Sequence, residues 1–185
     1  GDFAFGYKRE GDVPFLRRLG AERGFSVELV ESMVTVAGDW VSSSRIRRCL
    51  GEGNVEDVNA CLGRPFHVDG EVVYGDQRGR TIGFPTANLA VWDELVLPEN
   101  GVYGTYAWVG DRRYTAATNV GVRPTVNGRG VTVEAHLLDF TGDLYGQNLR
   151  VEFMHHIRPE KKFSGLPELT AQIQTDVNTI RALLS

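Results

Sequence analysis

Two polar side chains lie two positions apart in a short string of residues that could do chemistry. Residues 83–88 read Gly-Phe-Pro-Thr-Ala-Asn, so the hydroxyl of Thr86 and the amide of Asn88 occupy positions i and i+2. In an extended segment these positions share a face, and both oxygens could meet one hard cation such as Mg²⁺. The preceding run, residues 75–82, is rich in glycine and arginine, whose N–H groups suit phosphate. Taken alone, that run is also typical of a hairpin with solvated arginines.

A second string places a carboxylate on the polar face of a strand. Residues 131–137 read Val-Thr-Val-Glu-Ala-His-Leu, and this alternation puts Thr132, Glu134 and His136 on one face. A glutamate in mid-strand is most often a solvent-facing charge. The alternative is a general base, because a carboxylate within hydrogen-bond reach of an alcohol orients it and accepts its proton.

The composition excludes several classes of site. A net charge of −4 argues against nucleic-acid binding. No lysine follows a glycine, which excludes a P-loop, and no G-x-G-x-x-G string supports a Rossmann site. Cys49 and Cys61 form no C-x-x-C pair, and the adjacent His155 and His156 point to opposite faces of a strand, so neither pair indicates a metal centre. We expect a cytoplasmic protein with reduced thiols, small-molecule substrates and no membrane partner.

The elements that must position these residues fall into two parts. Residues 1–62 predict a partial α/β segment, with helices in 14–23, after Ser42 and after Asn54, and strands in 25–30 and 33–36. Residues 63–185 predict an antiparallel, Greek-key-like β-barrel with a C-terminal helix. Its predicted strands are Phe66–Tyr74, Gly101–Val109, Arg113–Val120, Val131–Phe140 and Leu149–His156, with turns at Asp111 and at Asn127-Gly128.

The string at 83–88 and its surroundings resemble the riboflavin kinase family, which phosphorylates riboflavin with ATP. Strings at 101–104, 119–125, 131–137, 143–146 and 158–163 are also similar to that family, so the resemblance covers residues 63–185. It implies that Thr86 and Asn88 hold Mg²⁺ and that Glu134 is the base for the flavin 5′-hydroxyl. The implied ATP contacts are Gly75, Arg80, Leu137, Asp139 and Tyr145. The implied flavin contacts are Arg158, Lys161 and Phe163.

Residues 1–62 resemble a different module, the FMN adenylyltransferase of bacterial bifunctional riboflavin kinase/FAD synthetases. The strings at 2–6 and 41–47 carry this resemblance, which implies a remnant nucleotide site at Ser43, Ser44 and Arg47. The module's His-x-Gly-His string is absent from this sequence, and the first residue is not Met. We therefore expect a fragment of a bifunctional parent, with an incomplete adenylyltransferase module.

Two alternative functions compete with phosphoryl transfer. One is a non-catalytic barrel that binds flavin or nucleotide, and the other is an adenylyltransferase fragment. A binding barrel would not need Glu134 together with Thr86 and Asn88, and all three are present. An oligonucleotide-binding barrel would need a basic groove and a stacking run, which this sequence lacks. The sequence does not predict an oligomeric state.

Overall fold

The computed structural model describes residues 4–29, 34–75, 78–92, 94–125 and 128–185. The chain divides into two compact units, residues 1–40 and residues 41–185. Some residues used in the sequence predictions lie outside the described ones: Asp2, Phe3, Val30, Met33, Asp76, Gln77 and Asn127.

The first unit contains one α-helix and a small hairpin. Its elements are a 3₁₀ turn Tyr7–Arg9, helix α1 Val13–Arg23, and strands β1 Thr35–Val36 and β2 Asp39–Trp40. Helix α1 begins where the Asp12 side chain accepts a hydrogen bond from the Phe15 N–H at 2.8 Å, and ends at Gly24 in a left-handed conformation. The predicted helix is confirmed. The predicted strand at 25–30 is wrong for its described part, because residues 25–29 form no regular element.

The second unit is a closed barrel with helices before and after it. Its elements are α2 Ser43–Gly51, α3 Val55–Leu62, β3 Phe66–Val73, α4 Arg78–Thr81, β4 Ala87–Ala90, β5 Gly101–Val109, β6 Arg112–Thr125, β7 Gly128–Leu137, β8 Asn148–Pro159 and α5 Leu166–Leu184. The strand order around the barrel is β3-β4-β7-β6-β5-β8, and every pair is antiparallel. Because β8 returns beside β5 after three consecutive strands, the topology is a Greek key. The predicted fold class is confirmed.

Alternation on β7 separates the barrel core from the outer face. Val133 and Ala135 are buried inside, among residues that include Tyr103 and Phe153. The intervening Glu134 therefore points outward. The core thus fixes which side chains of β7 are available for chemistry.

Helix α5 covers part of the outer barrel surface. Its buried residues Val177, Ile180 and Leu184 pack with outward-facing side chains of the strands. Gly104 lies beneath the helix, where a Cβ would be in ordinary contact with the Ile180 side chain at 3.4 Å. The predicted C-terminal helix is confirmed.

Helices α2 and α3 belong to the same unit as the barrel. The guanidinium of Arg45 pairs with Asp57 at 3.1 Å and joins the two helices. Asn59 of α3 donates to the Phe153 carbonyl at 2.8 Å and accepts from the Phe66 N–H at 2.7 Å. These bonds tie α3 to β3 and β8. A module boundary between residues 62 and 63 stays a prediction.

The carboxylate of Glu168 ties the first turn of α5 to the preceding loop. Ser164 donates to it from its backbone N–H at 2.9 Å and from its hydroxyl at 2.8 Å, and the Lys161 ammonium lies 3.0 Å away. These contacts, the Ser164 backbone bond above all, lower the pKa of Glu168 to about 2. A depressed pKa in the folded state stabilises the fold above the unfolded value of 4.5, and this stabilisation is lost as pH falls toward 2.

We expect Glu168→Gln to lower the melting temperature at neutral pH. The difference from the unsubstituted chain should shrink as pH falls from 4.5 toward about 2, because over this range the unfolded chain is already protonated at Glu168 and the folded chain increasingly becomes so. Thermal unfolding followed by circular dichroism at a series of pH values measures this. Glu71→Gln, which removes an exposed carboxylate from β3, is the matched control. A difference that stays constant over the range contradicts the prediction.

Candidate functional site

The barrel register brings the three central predicted residues together. Asn88 of β4 lies directly opposite Glu134 of β7. The Thr86 hydroxyl, just before β4, donates to Glu134 Oε2 at 3.5 Å. Since the neighbouring Ala87 and Ala135 are buried inside the barrel, the three polar side chains share its outer face. A hydroxyl, an amide and a carboxylate thus converge from two strands.

Gly75 lies against the amide of Asn88. A Cβ at position 75 would stand 2.5 Å from Cγ, Oδ1 and Nδ2 of Asn88, a distance that real Cβ atoms do not tolerate. Only a glycine therefore leaves the Asn88 amide in its present position. The predicted nucleotide residue Gly75 and the predicted metal ligand Asn88 are direct neighbours.

A cavity of about 530 Å³ adjoins this cluster. Arg80, Thr86, Leu137 and Tyr145 line it, so three predicted nucleotide residues and one predicted metal ligand meet there. Tyr145 also stacks on Tyr74, with ring centroids 3.9 Å apart. The cavity has the size and mixed lining that small ligands use.

The sequence predictions missed one wall of this cavity. Phe140, Thr141 and Gly142, in the connection between β7 and β8, line it beside Leu144, which belongs to the family-like string at 143–146. The glycines of this connection were a signal, because Gly142 has a φ of 154° and Gly146 a φ of 75°.

Asp139 lies apart from the cavity. Its carboxylate accepts two hydrogen bonds from the Arg181 guanidinium, at 2.8 and 2.7 Å, and this partner lowers the pKa of Asp139. The residue lines a second cavity on the other side of the β7–β8 connection. Its predicted contact with nucleotide stays a prediction.

The three predicted flavin residues form a cluster of their own. The Arg158 and Lys161 side chains lie over the Phe163 ring, 5.7 and 5.3 Å from its centroid. The Arg158 guanidinium also donates to the buried carboxylate of Asp176, at 2.8 Å from Nη2 and 3.0–3.1 Å from Nε. Arg158 therefore anchors α5 to β8, and the Lys161 ammonium pairs with Glu168 at 3.0 Å, which leaves the Phe163 ring as the freer group of the cluster.

A single row of paired positions joins this cluster to the metal candidates. Asn88 pairs with Glu134, Glu134 with Asn119, Asn119 with Val102, and Val102 with Arg158. Adjacent strands lie about 4.8 Å apart, so the row spans roughly four strand spacings. A ligand lying along it could reach both ends.

The predicted remnant site lies at the start of α2. Ser43, Ser44 and Arg47 are exposed there, and the N-cap is Ser42, whose hydroxyl accepts from the Arg45 N–H at 3.2 Å. The lining of the two cavities includes none of the three.

The described residues contain neither a cluster of histidine, cysteine or acidic metal ligands nor a membrane-spanning helix. Within the described ranges no cluster of three histidine, cysteine or acidic side chains could hold a metal ion. His155 pairs with Glu56 at 3.0 Å, whereas His156 packs on the Tyr103 ring. Both cysteines are buried and unpaired. No helix among the described residues has the length and apolar character needed to cross a bilayer.

Comparison with known proteins places the chain in a family. The riboflavin kinase (flavokinase) model matches residues 62–184. Proteins named bifunctional riboflavin kinase/FMN adenylyltransferase are 41% identical over 181 residues in Escherichia coli K12 and 36% identical over 185 residues in Listeria monocytogenes. The matches cover 97% and 100% of this chain but only 57% and 58% of those relatives, so the chain spans under two thirds of their length.

Two solved structures are also similar. A Streptococcus pneumoniae structure described as a macrolide-efflux protein superposes with a TM-score of 0.83 at 33% identity, covering 97% of this chain and 58% of its own. Riboflavin kinase from Trypanosoma brucei superposes with a TM-score of 0.50 at 28% identity, covering 65% and 80%. The family match over two thirds of the sequence, the relatives and the barrel agree, and the chain belongs to the riboflavin kinase family.

Proposed function

We propose that this chain transfers the γ-phosphoryl group of ATP to the 5′-hydroxyl of riboflavin, giving FMN and ADP. The convergence of Thr86, Asn88 and Glu134 beside a ligand-sized cavity carries the proposal. The flavokinase match covers all three residues. A kinase of this type needs both ligands for a metal ion and a base for the hydroxyl group.

The donor set at Thr86 and Asn88 fits Mg²⁺. Both offer neutral oxygen ligands, which suits a hard cation that takes most of its other ligands from water and phosphate. The missing side chain at Gly75 supports this, since it leaves room for the Asn88 amide. We assign Mg²⁺ to these two residues. When bound, the ion neutralises charge on the ATP phosphates.

The nucleotide is assigned to the cavity. Arg80 lines it and offers a guanidinium to phosphate oxygens, while Leu137 and Tyr145 supply apolar and aromatic walls. Because Gly75 has no side chain, its backbone can lie close to the nucleotide. We assign Asp139 an indirect role: its ion pair with Arg181 holds the β7–β8 connection, which lines the cavity.

The flavin is assigned to the other end of the paired row. The Phe163 ring offers an apolar face for the ring system of riboflavin, Lys161 offers an ammonium beside it, and Arg158 fixes the strand end against α5. The ribityl chain would then run along the row toward Glu134.

The reaction uses Glu134 as the base. The 5′-hydroxyl oxygen forms a bond to the γ-phosphorus while the bond from that phosphorus to the ADP oxygen breaks, and the hydroxyl proton passes to the Glu134 carboxylate. Because phosphoryl transfer has a loose transition state, positioning matters more than basicity. A carboxylate that accepts a hydrogen bond from the Thr86 hydroxyl meets that need.

The relatives' names also include FMN adenylyltransferase, and we propose that the parent of this chain carries both activities in the cytoplasm. Ser43, Ser44 and Arg47 are proposed as a remnant of the adenylyltransferase nucleotide site. All three are exposed at the start of α2, and the lining of both cavities does not include them.

We expect this chain to make FMN from riboflavin and Mg-ATP and to make no FAD. The experiment incubates the chain with both substrates and separates flavins by chromatography, with Glu134→Gln as the inactive control. FAD formation would show that residues 1–62 suffice for adenylyl transfer. If neither product forms while riboflavin and ATP both bind, the non-catalytic barrel replaces the proposal.

A further inference from the structure

A second cavity, of about 610 Å³, carries an excess of positive charge. Arg112, Arg113 and Arg181 line it, together with two negative groups, the Asp139 side chain and the α-carboxylate of Ser185, the last residue of the sequence. The three arginines come from the start of β6 and the last turns of α5. The cavity lies outside the site described above, whose predicted residues, apart from Asp139, do not line it.

Aromatic rings hold two of the guanidinium groups. Arg113 lies over the Tyr106 ring, 4.0 Å from its centroid, and Arg112 over the Tyr114 ring at 5.3 Å. Stacking fixes the plane of a guanidinium and leaves its N–H edge available for a planar or tetrahedral oxyanion. Throughout the described ranges, neither arginine forms an ion pair with a carboxylate, in contrast to Arg158 and Arg181.

One of the two carboxylates in the lining is already engaged. Asp139 accepts two hydrogen bonds from Arg181, at 2.8 and 2.7 Å, so their charges offset each other. Arg112 and Arg113 remain, and their charge exceeds that of the Ser185 α-carboxylate by one, so the cavity keeps a net attraction for an anionic phosphate group. Arginine forks are also the side chains best suited to bidentate contact with phosphate.

We propose that this cavity binds the phosphate group of a small phosphorylated molecule. It is a site separate from the first cavity, because the β7–β8 connection lies between them: Leu138 and Asp139 line the second, and Phe140 lines the first. The Tyr114 and Phe140 rings touch edge to face across this wall, with centroids 5.2 Å apart. The proposal does not depend on the kinase reaction.

Inorganic pyrophosphate without magnesium is the probe. Isothermal titration of the full chain in the presence of a metal chelator should show binding, and the double variant Arg112→Gln/Arg113→Gln should weaken it about tenfold or more, because charge-assisted hydrogen bonds are lost. Arg64→Gln removes the same charge from an exposed position outside the cavity, and Arg80→Gln removes it from the first cavity. Arg64→Gln should bind pyrophosphate as the unsubstituted chain does, whereas Arg80→Gln reports any pyrophosphate that binds in the first cavity.

The possible results of this titration distinguish binding in the second cavity from binding in the first. Undiminished binding by the double variant, or no binding by the unsubstituted chain, overturns the proposal. A loss confined to Arg80→Gln overturns it too, since pyrophosphate would then occupy the first cavity. An equal loss of binding with Arg64→Gln also overturns the proposal, because pyrophosphate would then be attracted by the positive charge of the chain in general and not by this cavity. Far-UV circular dichroism and thermal unfolding confirm that the double variant, changed only at exposed side chains, is folded.

Discussion

Asn88→Ala should raise the Mg²⁺ concentration needed for half-maximal FMN formation by at least about tenfold. Loss of even an outer partner of a metal site typically costs roughly 10–100-fold in metal affinity, and a direct ligand should cost no less. The fold should survive, because Asn88 faces outward from the barrel while Ala87 and Leu89 fill the core. Initial rates at a series of Mg²⁺ concentrations with saturating ATP and riboflavin measure the effect.

Gly75→Ala tests the same assignment without removing the ligand. The new Cβ would collide with the Asn88 amide, so the variant should also need more Mg²⁺ while its melting temperature changes little. Asn148→Ala, which removes an exposed amide from the start of β8, is the matched control and should behave as the unsubstituted chain. Near-full activity of Asn88→Ala at limiting Mg²⁺ means that the metal is held elsewhere.

The alternation of β7 could be predicted from the sequence because it is local. Valine and alanine at every second position require a buried face, and this alone turns Glu134 outward. The strand β4 that carries Asn88 was not predicted, because Ala87–Ala90 contains no β-branched or aromatic residue. Its pairing with β3 and β7 supplies what its own propensity lacks.

The position of Asn88 opposite Glu134 could not be predicted. It depends on the closure of six strands and on their register, and a slip of one residue would turn either side chain inward. Partners contributed by α5 are likewise non-local: Arg181 engages Asp139, and Asp176 engages Arg158. The predicted strand at 131–140 ends instead at Leu137, and Asp139 takes a φ of 58° in the turn that follows. Motif resemblance predicted the site residues, whereas their partners emerged only from the fold.

Glu134→Gln should lower kcat for FMN formation by about 10²–10⁴-fold, the usual contribution of a general base. The glutamine keeps the shape of the side chain and one acceptor for the Thr86 hydroxyl, but it cannot take the proton of the 5′-hydroxyl. Binding of riboflavin and ATP should therefore change little, and kcat should fall with kcat/KM. Single-turnover measurements of phosphoryl transfer, with binding followed by flavin fluorescence, separate the two effects.

The competing interpretation of Glu134 is a solvated surface charge, and it makes a different prediction. Replacement of such a residue changes the free energy of unfolding by less than about 0.5 kcal/mol and leaves turnover intact. Glu71→Gln on β3, an exposed glutamate, provides that reference on the same barrel. If Glu134→Gln transfers the phosphoryl group as fast as Glu71→Gln does, Glu134 is not the base. If transfer slows while both variants unfold at similar temperatures, the loss is chemical, because the strand that holds residue 134 is still in place.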